Sequence, residues 1–202
     1  MPAFNYRTIQ KPAEGVYKEK GSRFLAFAYP VDSENAIKEA IDTLKKKYYD
    51  ARHHCFAWVL GAGKKQFRAF DDGEPNHAAG DPILGQIRSK DLTNVLIVVV
   101  RYFGGTKLGV GGLISAYKIA AAAALDQASI IEKEVTETVT LTYAYEATPD
   151  VMRLVKDFDL TILEQDFSDG CFLKAEVSLK RSEDLTEKIV FMKAMGVKLE
   201  IE

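Results

Sequence analysis

The stretch Val95-Leu96-Ile97-Val98-Val99-Val100-Arg101-Tyr102-Phe103, followed by Gly104-Gly105-Thr106-Lys107-Leu108-Gly109-Val110-Gly111-Gly112, decides how the fold is read. Residues 95–103 are mostly apolar without alternation, as expected of a strand buried on both faces. The apolar, alanine-rich run Leu113–Ala128 reads as a helix. Strand, glycine loop and helix in that order let an anion approach, because glycine has no Cβ and the first helical N–H groups have no internal partner. Lys107 lacks the GxxxxGK[ST] frame, and Ile114 stands where a third glycine would complete a dinucleotide fingerprint. Arg101 and Lys107 flank the loop, and Arg101-Tyr102-Phe103 joins a cation to aromatics, as single-stranded nucleic-acid surfaces do. Glycines that only allow close packing of helix on sheet would give the same pattern, so both readings stay open.

Upstream, Gly15–Lys20 and Phe24–Val31 read as strands around Gly21-Ser22. Asp32 or Ser33 caps a helix with Ala36, Ile37, Ala40, Ile41 and Leu44 on one face, and Lys45-Lys46-Lys47 suits its negative end. His54–Leu60 and Gln66–Phe70 read as strands around Gly61-Ala62-Gly63. A polar stretch, Asp71–Asp81, then leads to a short helix near Ile83–Arg88. Downstream, Val135–Tyr145 alternates as a half-exposed strand. Thr148 caps a helix that starts with Pro149 and runs to about Phe158. Thr161–Phe167 and Cys171–Leu179 are strands joined at Ser168-Asp169-Gly170. Ser182 caps a helix to Met195 with Gly196 as its stop, and Val197–Ile201 is a last strand. The order β-α-β-β-α-β is the ferredoxin-like pattern. The expected fold class is α+β, with an N-terminal α/β domain over residues 1–132 and a ferredoxin-like domain over 133–202.

Charge divides at the same place. The 202 residues carry a net charge of −2, but residues 1–132 hold 18 Lys and Arg against 14 Asp and Glu, and residues 133–202 hold 9 against 15. A basic part joined to an acidic part leaves contact with an anionic partner open for the first alone. Two distant cysteines, Cys55 and Cys171, offer neither a disulfide framework nor a CxxC metal motif. The first residues show no apolar signal segment, and the longest apolar runs fall short of the ~20 residues of a membrane span. A cytoplasmic protein without membrane contact is expected.

Two polar clusters carry candidate chemistry. In Asp50-Ala51-Arg52-His53-His54-Cys55-Phe56-Ala57-Trp58 the adjacent histidines point to opposite faces of a strand, whereas His53 and Cys55 share one. In Asp71-Asp72-Gly73-Glu74-Pro75-Asn76-His77 three carboxylates in four residues repel unless they are solvated or paired. They suit general acid–base work or a hydrated magnesium ion, but equally a turn whose acids cap backbone N–H groups. No zinc spacing is present, and neither a metal nor a cofactor is expected.

The motifs DARHHCFAW (50–58), DDGEP (71–75) with Gly80 following, and VVVRYFGGTKLGVGGL (98–113) together resemble the YigZ/IMPACT family over about residues 15–130. The resemblance implies an N-terminal α/β domain like one shared by a ribosomal small-subunit protein and elongation factor G. It also implies a C-terminal domain like the last domain of that factor. It singles out His54, Cys55, Asp71, Asp72, Glu74, Arg101, Tyr102, Gly104, Gly105, Lys107, Gly109, Gly111 and Gly112. The chain departs from the family pattern after Pro75: Asn76-His77-Ala78 stand where many relatives have a small residue, Gly and Thr. Eukaryotic members regulate translation under amino-acid stress through protein partners in a kinase pathway.

Two functions are compatible with these residues. The first is a non-enzymatic, translation-associated regulatory protein that binds RNA, the ribosome or a regulatory protein through Arg101, Tyr102, Gly104, Gly105, Lys107, Gly109, Gly111 and Gly112. The alternative is a hydrolase or phosphate-handling enzyme using His54, Asp71, Asp72, Glu74 and His77, which requires these groups to converge in one pocket. The oligomeric state stays open.

Overall fold

The first half of the chain runs β1 (Asn5–Ile9), β2 (Ala13–Glu19), β3 (Ser22–Pro30), α1 (Glu34–Lys47), β4 (His53–Leu60), β5 (Gln66–Phe70), α2 (Gly80–Ser89), β6 (Val95–Tyr102), α3 (Gly109–Asp126) and β7 (Ile130–Glu134). The structure is a computed structural model that describes residues 4–167 and 170–202. Five strands form one sheet in the order β2-β3-β6-β4-β5, with β6 in its centre. Val95, Ile97 and Val99 face a core shared with α2 and α3, whereas Leu96, Val98 and Val100 face a second core under α1. All six are fully buried, which is why the strand reads as apolar without a period of two. β3 and β4 both pair antiparallel with β6, so they run in the same direction, and α1 connects them across it.

Close approach of α3 to the sheet depends on Gly15 of β2. A Cβ there would lie 2.3 Å from the Ala124 nitrogen, so only glycine lets the alanine-rich helix sit directly on the strand. Ser33 caps α1 by accepting the Ala36 N–H at 3.3 Å. α3 begins at Gly109 rather than at Leu113. Gly109, Gly111 and Gly112 therefore form its first turn, and the free loop shrinks to residues 103–108. β1 and β7 pair as a separate two-stranded sheet that the sequence does not announce. Both are short, and their pairing joins segments more than a hundred residues apart, so neither leaves a local signal.

The second half runs β8 (Thr136–Tyr143), a single 3-10 turn (Tyr145–Ala147), α4 (Thr148–Asp157), β9 (Thr161–Asp166), β10 (Cys171–Ser178), α5 (Ser182–Ala194) and β11 (Leu199–Ile201). Its four strands lie in the order β11-β8-β10-β9, every neighbouring pair antiparallel. Leu141, Val151, Leu154, Leu173, Val177, Leu185 and Ile189 fill its core. Thr148 and Ser182 are the first helical residues rather than the caps expected of them. Their hydroxyls donate to the Tyr145 carbonyl at 2.6 Å and to Glu137. Ser168 and Asp169, expected in a turn, lie outside the described residues. The chain divides into two compact units, Met1–Lys133 and Glu134–Glu202. Among the described residues no helix is long and apolar enough to cross a membrane.

Candidate functional site

Arg101 ends the run of β6 residues that face α3, and its register partners are Phe24 on β3 and His53 on β4. Its side chain is only 7% exposed, and Nη1 donates to Glu74 Oε1 at 2.5 Å. The Tyr117 hydroxyl, from the third turn of α3, donates to the same oxygen at 2.7 Å. The guanidinium lies 5.5 Å from the Phe24 ring and 5.8 Å from the Phe103 ring, while Nε is buried without a partner. Arg101, expected as a surface contact for an anion, is thus turned inward on a carboxylate of its own chain.

The DDGEP segment supports that pair. Asp71 accepts the N–H groups of His77 at 2.9 Å, Ala79 at 3.0 Å and Gly80 at 2.8 Å, and so caps α2, whose N-cap residue Ala79 has no side chain able to do it. Asp72 and Gly73 both take positive φ, +44° and +84°, which turns the chain back toward β4. There Asp72 Oδ2 accepts the His54 N–H at 2.7 Å, and its carbonyl accepts His53 Nδ1–H at 2.8 Å. His53 Nε2 is left 4.0 Å from Glu74 Oε1. Three carboxylates close in sequence avoid repulsion because each serves a different partner.

Cys55 stands beneath this turn, with Sγ 2.9 Å from the Asp71 carbonyl and 3.3 Å from the Tyr117 hydroxyl. Burial pushes both the Cys55 thiol and the Tyr117 phenol well above their ordinary ranges, so neither supplies an anionic nucleophile. His54 lies in the other layer, under α1, with Nε2 buried and unpartnered. Burial lowers the proton affinity of its ring, the Asp72 carboxylate partly offsets this, and Lys45 adds to it. His77 is exposed and contacts Asp81 at 2.6 Å. The five residues of the enzymatic alternative therefore do not meet in one place: Asp71 and Glu74 brace the α3 side, His54 the α1 side, and His77 faces solvent. Among the described residues no three His, Cys, Asp or Glu groups could hold a metal ion.

The loop residues divide in the same way. Gly104 is locked in place, since a Cβ would lie 1.9 Å from the Gly21 carbonyl carbon, and its N–H donates to Ser22 Oγ at 3.1 Å. Gly105, Lys107, Gly109 and Gly111 are exposed, Gly112 is half-buried, and α3 begins without a side-chain cap. Tyr102 faces α1 and donates its hydroxyl to Asp50 at 2.7 Å, a bond to an anion that pushes the phenol up to about 12. Tyr117 is absent from the residues that sequence reasoning singles out. It is nonetheless the only hydroxyl-bearing aromatic in the apolar helix run, which is a readable signal.

Residues 20–125 match the Impact N-terminal domain. The chain is 32% identical over 180 residues to IMPACT family member YigZ of Escherichia coli (strain K12), covering 88% of each protein. It is 29% identical over 183 residues to IMPACT family member YvyE of Bacillus subtilis (strain 168), covering 91% of this chain and 84% of that one. The crystal structure of a hypothetical protein, 30% identical, superposes with a TM-score of 0.79 over 98% of this chain and 97% of the other. Matches that span nearly the whole length, and a domain match centred on the three motifs braced by Arg101 and Glu74, place the chain in the IMPACT family.

Proposed function

We propose that the protein is a cytoplasmic, translation-associated regulatory protein whose first domain, residues 1–132, meets RNA, the ribosome or a translation-regulating protein partner. The observation that carries this reading is where the family motifs lie. Asp71, Glu74, Arg101 and Tyr117 are consumed in bonds to one another and to the backbone, so they brace a surface rather than line a pocket. Gly105, Lys107 and the uncapped start of α3 remain accessible above that brace, as an anionic or protein partner requires. The crossover β3-α1-β4 around β6 supports likeness to the α/β domain of ribosomal proteins and elongation factors. The order β11-β8-β10-β9, with one helix before β9 and one after β10, supports a ferredoxin-like domain over residues 133–202.

Co-sedimentation of the purified chain with purified ribosomal subunits over a salt series tests the reading. Association at low salt that weakens as salt rises is the expected result, since contacts of cations with phosphate release counterions. A chain that stays in the supernatant at every salt concentration, and captures no component of the translation machinery, contradicts it.

A further inference from the structure

A concentration of unpaired positive charge lies away from the glycine loop, where α1 ends over the sheet. Lys45, Lys46 and Lys47 close the helix and are all exposed. Tyr48 packs on Phe27 of β3 with ring centroids 5.4 Å apart, which fixes the helix end against the sheet. Arg23 at the start of β3 is the register partner of Tyr102, and its guanidinium lies 6.0 Å from that ring. β4 begins at His53, the register partner of Arg101, and the exposed Arg52 lies in the bend just before it, at the Tyr102 end of β6. Residues alternate faces along a strand, and so Arg23 and Tyr102 share the α1 side with His54 and Val100. Tyr49, 84% exposed, stands at the same corner.

Helix-dipole stabilisation accounts for lysines in the last turn of α1, but not for Arg23 on β3 or for Arg52 in the bend that leads into β4. Among the described residues none of these five cations is in an ion pair. Of the acids nearby, Asp50 accepts the Tyr102 hydroxyl, Asp72 accepts the His54 N–H, and Asp42, one turn before Lys45 and Lys46, makes no ion pair with either. An acidic protein surface would satisfy the cations alone. Lysine, however, is depleted at protein–protein interfaces, whereas a run of three lysines beside exposed aromatic surface suits phosphates and stacked bases.

We infer that this corner, formed by Arg23, Lys45-Lys46-Lys47, Arg52, Tyr49 and Tyr102, is a binding surface for single-stranded RNA, with the cations on phosphates and the tyrosines under bases. The inference rests on the reading of the first domain as the part that meets a translation partner, and it adds to the loop at the start of α3 a second surface with a stated ligand chemistry. Because the scaffold is a helix end locked on a sheet, little ordering is needed on binding.

The test measures binding of the full chain to a fluorescent oligouridylate by anisotropy over a salt series. The wild-type chain binds with a log–log salt slope of roughly −2 to −3.5, as three to five phosphate contacts on a single strand require. The variant K45E/K46E/R52E loses at least about 30-fold in affinity and about 2 in slope. Tyr49→Ala loses about tenfold with the slope unchanged, because stacking releases no counterions. The control K18E/K118E, two exposed lysines elsewhere, removes positive charge with little effect. Circular dichroism checks that each variant is folded. Equal weakening by the control and the corner variant overturns the inference, because general charge then explains binding. RNA binding untouched by the corner variants overturns it as well, while leaving the translation reading standing. Co-sedimentation with ribosomes in the absence of any oligonucleotide binding also overturns it and points to a protein contact there. Absence of both sinks the inference and the broader reading together.

Discussion

Glu74 keeps its place as a 4%-exposed carboxylate because Arg101 neutralises it and Tyr117 donates to the same oxygen. Removing one partner of such a pair leaves an uncompensated buried charge, whereas removing both leaves only a volume to fill. Glu74→Ala should therefore lower stability by about 3–5 kcal/mol, and the double variant E74L/R101M should recover most of that loss; urea unfolding measures both. His54 yields a pH prediction. Its ring binds a proton less readily in the folded chain than the ordinary value of 6.5, chiefly through burial. Between the lowered value and 6.5 the unfolded chain holds a proton that the folded chain does not, so stability rises with pH across that window. It is complete above 6.5 and is lost as the pH falls toward the folded value. Thermal melts between pH 7 and 5 should show that loss, and His54→Leu should flatten it. Neither role is legible in the residues themselves. The segment DDGEP looks like an exposed acidic turn until the pairing of β6 with β3 and β4 brings Arg101 into its reach.

At the scale of elements, most strands and helices are legible, because burial on one or two faces writes a period into the sequence. α3 starts four residues earlier than its sequence predicts: Gly109 enters it at a φ of +71°, and Val110-Gly111-Gly112, of poor intrinsic helix propensity, is held helical by the packing of the alanine-rich turns beyond it. Tertiary contact overrides propensity there. Strand order is not legible, because nothing local in β6 says that it inserts between β3 and β4. The same packing makes Gly15 a sensitive position. Gly15→Ala should destabilise by about 1–3 kcal/mol by forcing α3 off β2, while Gly63→Ala, whose nearest neighbouring atom is 4.0 Å away, should change stability by less than about 0.5 kcal/mol. Asp71→Ala should cost about 1–3 kcal/mol by uncapping α2, and hydrogen exchange should show the N–H groups of Ala79 and Gly80 losing protection first.

Across the whole molecule, a net charge of −2 conceals a basic first part and an acidic second. The paired and buried groups of the family motifs belong to the first, and so does the unpaired basic corner at the end of α1. Motif residues thus act as an internal brace, and the proposed reading puts the partner on the surface of that first part. A regulator of translation must act on the process itself as well as bind its parts. The most direct measurement is the yield of a reporter in a purified, reconstituted translation reaction titrated with the full chain. The account predicts a dose-dependent change in yield that Glu74→Ala abolishes at temperatures where its brace has melted. Unchanged yield at every concentration of folded wild-type protein, with the ribosomes confirmed active, would contradict it.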